Sequence, residues 1–188
     1  GIYEAVLRFM KAAGAKAVVF DVLFTNPSTA ADDEVFGKAL KDFGSVALAM
    51  GTGAFDDPMR ATPPPAQFAV KAAPALASSA QPSLAVRLPI PAIRGGARLL
   101  GDTRVDADLD GVFRRVPLLT SMGGRLYPTL PAAAAMLATG KSLDELNPRL
   151  TDGRMLVRFH GESLTVNKAI RTYDFYQIGD IIQSWVAL

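Results

Sequence analysis

The 188-residue chain has no cysteine and a single histidine, His160. Without cysteine there are no disulfides, no thiolate metal sites and no cysteine nucleophile. Zinc sites usually need several His or Cys ligands, so we expect a structural or surface role for His160. The chain also lacks a G-x-S-x-G nucleophile elbow, a phosphate-binding loop and a glycine-rich dinucleotide fingerprint. We therefore expect no catalytic residue, no metal and no cofactor.

Long apolar runs and blocks of one charge are missing as well. No run approaches the roughly 18 apolar residues that span a bilayer, and no signal peptide is visible. The net charge of +2 comes from 20 basic and 18 acidic residues without a basic block, which does not point to nucleic acid. The chain opens directly in a helical pattern and stops abruptly at WVAL, so we expect both ends to be cut from a longer protein.

What is present suits a sizeable core, with 49% hydrophobic and 20% charged residues, and the length predicts one domain over 1–188. Helical spacing of apolar residues predicts a first helix that starts near Ile2 and is closed by Gly14. A buried strand follows from Lys16 to about Asp21. A second helix is predicted between a cap at Ser28 or Thr29 and Gly44, with one apolar face: Val35, Phe36, Ala39, Leu40 and Phe43.

SVALAM then predicts a second buried strand, and the alternation of helices and strands is typical of a parallel α/β layer. Further along, AQFAVKAAPALASSA predicts a helix broken near Pro74, and PSLAVRLPIP an extended segment. Two strands are predicted around a turn at Gly123 and Gly124, then a helix ending at Gly140, a strand in DGRMLVRFHG and a terminal helix in TYDFYQIGDIIQS. The predicted fold is α/β, with a mixed, partly parallel central sheet flanked by helices.

The segment VDADLDGVFRR begins like a calcium loop, with Asp106, Asp108 and Asp110 at alternate positions before Gly111. Positions nine and twelve of such a loop would be an arginine and a proline, which offer the ion no oxygen ligand. We therefore predict a charged turn whose aspartates pair with arginines, and we expect no bound metal.

Asp21 is a second candidate, because it lies at the carboxyl end of a predicted buried strand, where open α/β sheets collect ligands. The alternative is a carboxylate that caps the loop TNPST or pairs with an arginine. Arg114 and Arg115 could clamp a carboxylate or phosphate. If both lie on a strand, alternation sends them to opposite faces, so at most one points into any given pocket. The candidate ligand-binding residues are Asp21, Asp106, Asp108, Asp110, Arg114 and Arg115.

Several segments together resemble a known family in their order and spacing. They are GAKAVVFDVLF, DDEVFGKALKDFGSVALAM, GDTRVDADLDGVFRRVPLL, TLPAAAAMLATG and MLVRFHGE. The chain resembles the type-two CHASE domain, a family of extracytoplasmic sensor modules in bacterial signalling receptors. The most specific parts are FDVLF and the run from Asp108 to Leu118.

The resemblance implies a periplasmic or extracellular module of an inner-membrane receptor, whose cytoplasmic output is a nucleotide cyclase, a histidine kinase or another kinase. It supplies no catalytic motif and no known ligand. An acidic strand before Gly1 and a late G-K-x-V-x-V-G strand are missing, so it also implies trimmed ends and an incomplete sheet. We expect an unknown small-molecule or other signal as ligand and a homodimer as the working state.

Two alternatives to a sensor remain open at this point. One is a small α/β enzyme that uses Asp21 or Asp108 as acid or base, which would require a nucleophile, a base and an oxyanion donor within reach of each other. The other is a purely structural dimerisation domain. A closed interior without a polar pocket would favour that alternative.

Overall fold

The computed structural model describes residues 1–53 and 62–158, together with Ile178 and Gln183. In this part of the chain no helix has the length and apolar character needed to cross a membrane. The helices are α1 (Ile2–Ala12), α2 (Ala30–Phe43), α3 (Pro74–Ala77), α4 (Pro91–Arg94), α5 (Leu130–Thr139) and α6 (Leu143–Leu146).

The strands are short and fall into three sheets. In chain order they are β1 (Val18–Phe20), β2 (Val46–Gly53), β3 (Gln81–Pro82), β4 (Ala85–Arg87), β5 (Leu99–Asp102), β6 (Arg115–Val116), β7 (Leu119–Met122), β8 (Arg125–Pro128), β9 (Leu150–Thr151) and β10 (Arg154–Leu156). In the largest sheet β2 pairs in parallel with both β1 and β5 and antiparallel with β4. The predicted mixed, partly parallel sheet is thereby confirmed.

Helices cover both faces of this sheet, and the side chains of β2 alternate accordingly. Val46, Leu48 and Met50 pack into a core that Leu7 of α1 and Leu40 of α2 also enter. The intervening Ala47 and Ala49 face α5, where they form a smaller cluster with Leu130 and Ala133. These five residues of β2 are fully buried, as expected of a central parallel strand.

Four aromatic rings join the first two helices to the end of β1. Tyr3, Phe20, Phe24 and Phe36 lie with ring centroids 5.1–5.9 Å apart, mostly edge to face. Such pairs add stability beyond the area they bury. The cluster fixes the segment that leaves β1, and with it the position of Asp21.

A glycine lets α5 approach the sheet closely. A Cβ atom at Gly101 would lie 2.5 Å from Cα of Leu130 and 2.9 Å from its backbone N. Because real Cβ contacts are never this short, only glycine permits the first turn of α5 to sit against the end of β5. This contact brings the α5 start and the carboxyl end of β5 to one place.

The other two sheets pack around a second apolar cluster, while Met122 of β7 and Tyr127 of β8 enter the first core. One has the order β3-β7-β8 and the other β6-β10-β9. Leu76, Leu118, Leu119, Ala132 and Leu143 form the buried part of this cluster. The predicted turn between two strands is confirmed at Gly123 and Gly124, both of which have positive φ.

Several element predictions are confirmed in detail. The first helix ends at Ala12, and Gly14 has φ +76°. Thr29 caps α2 by accepting a hydrogen bond from Asp32 N, while Gly44 ends the helix with φ +83°. α5 ends at the left-handed Gly140 as predicted.

Other predictions were wrong. AQFAVKAAPALASSA forms only a 3-10 turn (Ala66–Phe68) and the short α3, because Val70 instead forms a β-bridge with Leu126 and proline starts the later helix. Val35 is 40% exposed rather than buried, since the buried stripe of α2 is narrower than predicted. The strand in RLLGD was missed. The predicted terminal helix and the end of the strand in DGRMLVRFHG lie outside the described residues.

Candidate functional site

A cavity of about 300 Å³ opens where β1 and β5 end, against the first turn of α5. Asp21 lies at the end of β1 and Asp102 ends β5, so both come from the carboxyl edge of the parallel strands. This is the edge at which α/β sheets bind ligands. Arg104 and the apolar Val19 and Val105 complete this part of the wall.

Asp102 is the most enclosed charged residue of the wall, with 1% of its surface exposed. It accepts hydrogen bonds from Thr52 N (3.3 Å), Thr52 Oγ1 (2.6 Å), Thr120 Oγ1 (2.5 Å) and Arg104 N (3.0 Å). Four donors match the acceptor capacity of an ionised carboxylate. Thr52 belongs to β2 and Thr120 to β7, so this carboxylate connects the central sheet, the second sheet and the loop that lines the cavity.

Asp21 contrasts with Asp102 because it is exposed. Within residues 1–53 and 62–158 it makes no hydrogen bond or ion pair. Neither of its alternative roles is seen there: the loop TNPST is capped instead by Asp33, whose carboxylate accepts from Ser28 N. Among the described residues, Asp21 is therefore a carboxylate without a partner at the cavity mouth.

Arg104 and Asp106 form a pair beside the cavity. The arginine donates from Nε (3.3 Å) and Nη2 (3.1 Å) to the two carboxylate oxygens, and Gln81 Nε2 donates to the same group at 2.9 Å. The hydrogen bond from Arg104 lowers the pKa of Asp106 below its usual value; partial burial opposes this, and Gln81 adds to it. The guanidinium charge of Arg104 is thus largely balanced.

The turn from Asp108 to Arg115 has the predicted character. Asp108 N donates to Val112 O, Gly111 N donates to Asp108 O, and Gly111 has φ +80°. Arg114 Nη1 lies 2.7 and 2.9 Å from the two carboxylate oxygens of Asp110. The hydrogen bond from Arg114 lowers the pKa of Asp110, and that from Val112 N lowers it further. The predicted salt bridges are confirmed.

Both arginines of this turn line a second, more open depression of about 610 Å³. Arg114 Nη1 and Arg115 Nη1 each lie 3.8 Å from a different oxygen of Asp108. The condition for opposite faces is not met, because Arg114 precedes β6 and only Arg115 lies in a strand.

The predicted site residues therefore fall into two places. Asp21 lines the cavity at the sheet edge, whereas Asp108, Asp110, Arg114 and Arg115 line the second depression. Asp106 is not among the described residues that line either one, and it is bound to Arg104. The two carboxylates considered as an acid or base, Asp21 and Asp108, are in separate depressions, and His160 lies outside the described residues.

Sequence reasoning missed Asp102, Thr52 and Thr120. A signal was present, because RLLGD repeats the pattern of VVFD, an apolar run that ends in aspartate. The same reading that selected Asp21 applies to Asp102. The threonines carried no such signal, since their role depends on contacts between β2, β5 and β7.

The fold is that of a mixed α/β domain whose central sheet is covered on both faces, with a small cavity at its carboxyl edge. Among models of known protein families, that of the CHASE2 domain matches residues 1–187 of the chain. The chain belongs to this family of extracytoplasmic sensor domains, which confirms the resemblance seen in the sequence. Searches of curated proteins and of solved structures gave no match.

Proposed function

We propose that this chain is the sensing domain of a bacterial transmembrane receptor, which binds a small-molecule signal outside the membrane and passes a conformational bias to a cytoplasmic nucleotide cyclase or histidine kinase. The observation that carries the proposal is the match of the CHASE2 domain over residues 1–187. In this proposal the working receptor is a homodimer and the domain itself catalyses no reaction.

The contacts of Asp102 support the proposal that a change at the cavity is transmitted to the rest of the fold. The loop after β5 lines the cavity, and its Arg104 N–H donates to the carboxylate that also holds Thr52 and Thr120. A ligand that moves this loop changes the hydrogen bonds joining the two sheets. It can bias the domain only if it binds one of two arrangements better than the other.

The extracytoplasmic position can be tested in the parent protein, because this chain has no cysteine. Ser78 is exposed and would be replaced by cysteine in a parent whose other cysteines have been removed. A membrane-impermeant maleimide should label Ser78→Cys in cells whose outer membrane alone is permeabilised. Labelling only after lysis of the inner membrane would overturn the proposal.

Binding is tested separately by isothermal titration of a small-molecule library against the wild type and Asp21→Ala. In this proposal a ligand of the sheet-edge cavity binds the variant more weakly. Unchanged affinity for a ligand so found would remove Asp21 from the site. A library without any binder, with a receptor output that still depends on pairing of two copies, would favour the structural dimerisation alternative.

A further inference from the structure

The cavity at the sheet edge carries one uncompensated charge among the described residues that line it, the carboxylate of Asp21. The oxygens of Asp102 are occupied by its four donors. Arg104 is held by Asp106 through two of its nitrogens. The electrostatic preference of the wall is therefore for a cation beside Asp21.

Two hydroxyl donors of the wall that could hold an anion are already in use. The hydroxyl of Thr103 donates to Met50 O, and that of Thr129 donates to Pro117 O at 3.0 Å. Pro131 stands in the first turn of α5 and has no N–H, so this helix start offers fewer free donors than usual. These contacts favour a cation over an anion.

The rest of the wall is largely apolar. Val19 and Val105 remain 37% and 40% exposed although they line a concave surface. Leu130 and Ala134 of α5 line the same cavity. Exposed apolar side chains around a few polar groups are typical of small-molecule sites. Covering them removes apolar surface from water, which favours a ligand with an apolar body.

The volume of the cavity limits the size of the apolar part of such a ligand. A volume of about 300 Å³ is at the lower end of the range for small-molecule sites. It corresponds to about ten water molecules at roughly 30 Å³ each. A single ring or a branched aliphatic chain with a short arm fits, whereas a nucleotide or a peptide does not.

We propose that this cavity binds a small organic amine, with the protonated nitrogen beside Asp21 and the apolar body against Val19, Val105 and Leu130. The inference rests on the proposed sensing function and names the chemical class of the signal. Asp21 confers the charge preference, and the apolar wall sets the size.

Three probes of similar shape and different charge test the proposal: phenethylamine, 2-phenylethanol and 3-phenylpropionate. Each is titrated into the 188-residue chain while the methyl signals of Val19 and Val105 are followed by NMR. We expect phenethylamine to shift these signals and to bind about two- to fivefold more tightly than the alcohol, the range of an exposed ion pair. The carboxylate should bind most weakly.

Two variants, together with a matched control, separate the effect of the Asp21 charge from the effect of the cavity shape. Asp21→Asn should remove the advantage of the amine and leave the alcohol unchanged. It should fold normally, because Asp21 is exposed and makes no hydrogen bond or ion pair with the described part of the chain. The matched control Asp110→Asn removes the same charge from the second depression and should change neither affinity. Ala134→Leu narrows the cavity and should weaken all three probes.

The proposal is overturned if the carboxylate binds as tightly as the amine, if Asp21→Asn leaves the amine affinity unchanged, or if phenethylamine shifts neither valine up to its solubility limit. None of these results touches the labelling of Ser78→Cys in the parent receptor. A failure of the amine site is therefore distinguishable from a failure of the sensing function.

Discussion

Asp102 and Asp110 lie eight positions apart, and their negative charges are stabilised in opposite ways. Asp102 is buried, and its partners are neutral: two threonine hydroxyls and two backbone N–H groups. Asp110 is exposed, and its side-chain partner is the guanidinium of Arg114. The buried carboxylate depends on donors from two strands and the loop after β5, whereas the exposed one depends on a countercharge that is itself partly exposed.

The two carboxylates should therefore differ in how much they contribute to the stability of the fold. Donors left unpaired in the interior cost much more than donors left unpaired in water. An exposed ion pair gives little, because water screens it and two long side chains must be ordered. The ion pair of Asp110 and Arg114 thus sets the shape of the charged turn. Asp102 instead stabilises the contact between the central sheet and the sheet that contains β7.

The largest effect should come from Asp102→Ala. The change leaves the hydroxyls of Thr52 and Thr120 and two N–H groups without an acceptor, and each unsatisfied buried group costs about 1–3 kcal/mol. We expect a loss of about 3 kcal/mol or more in the free energy of unfolding, measured by urea denaturation with far-UV circular dichroism.

Asp102→Asn is the matched control for this prediction. Its amide oxygen still accepts, and a threonine hydroxyl can rotate to accept from the new NH₂ group. We expect roughly half of the loss seen with alanine. If Asp102→Ala costs less than about 1 kcal/mol, the assumption that this carboxylate joins the sheets is wrong.

Each of the two regions also contains a glycine that constrains it: Gly101 at the end of β5 and Gly111 in the charged turn. A Cβ at Gly101 would overlap the backbone of Leu130, whereas a Cβ at Gly111 would meet nothing within 4 Å but would stand at φ +80°. Gly101→Ala should cost about 2–3 kcal/mol by forcing α5 away from the sheet. Gly111→Ala should cost about 1 kcal/mol, which is backbone strain alone.

Unfolding midpoints in urea of the two variants measure this difference. The Gly101 variant should also alter the methyl signals of Val105 and Leu130, because it displaces the helix start that lines the cavity. Equal losses in the two variants, or a larger loss at Gly111, would mean that α5 can shift without cost.

The two regions also differ in how far the sequence predicted them. The charged turn is local: Asp108, Gly111 and Arg114 lie within one turn of chain, so spacing alone predicted its salt bridges. The Asp102 site joins residues 50 positions apart on β2 and β5 and reaches β7, and no periodicity within one segment reports such contacts.

The same distinction explains the fold predictions. α1, α2 and α5 have long apolar patterns with glycines at their ends, and their existence follows from local rules. The segment around Val70 has a helical composition, yet its backbone pairs with Leu126 across the chain, and this tertiary contact overrides propensity. Strands of two to four residues are too short to show a period.

The smallest effect should come from Asp110→Asn. Its ion pair with Arg114 is exposed, so we expect a shift of the unfolding midpoint near the limit of measurement at pH 7 and none in 1 M salt, where charges are screened within about 3 Å. A loss as large as that of Asp102→Ala would remove the distinction between the two regions.

The pH dependence gives this small effect a definite sign. Arg114 holds the pKa of Asp110 below the usual 3.8, and Arg104 does the same for the pKa of Asp106. A lowered pKa in the folded state means that the stabilising contribution is complete above the usual value and is lost as the pH falls through the lowered one. Carboxyl NMR titrations should therefore give midpoints below 3.8 for both groups. Any difference between wild type and Asp110→Asn should be present at pH 7 and disappear under acid, because protonation removes the charge in the wild type that the substitution removes in the variant.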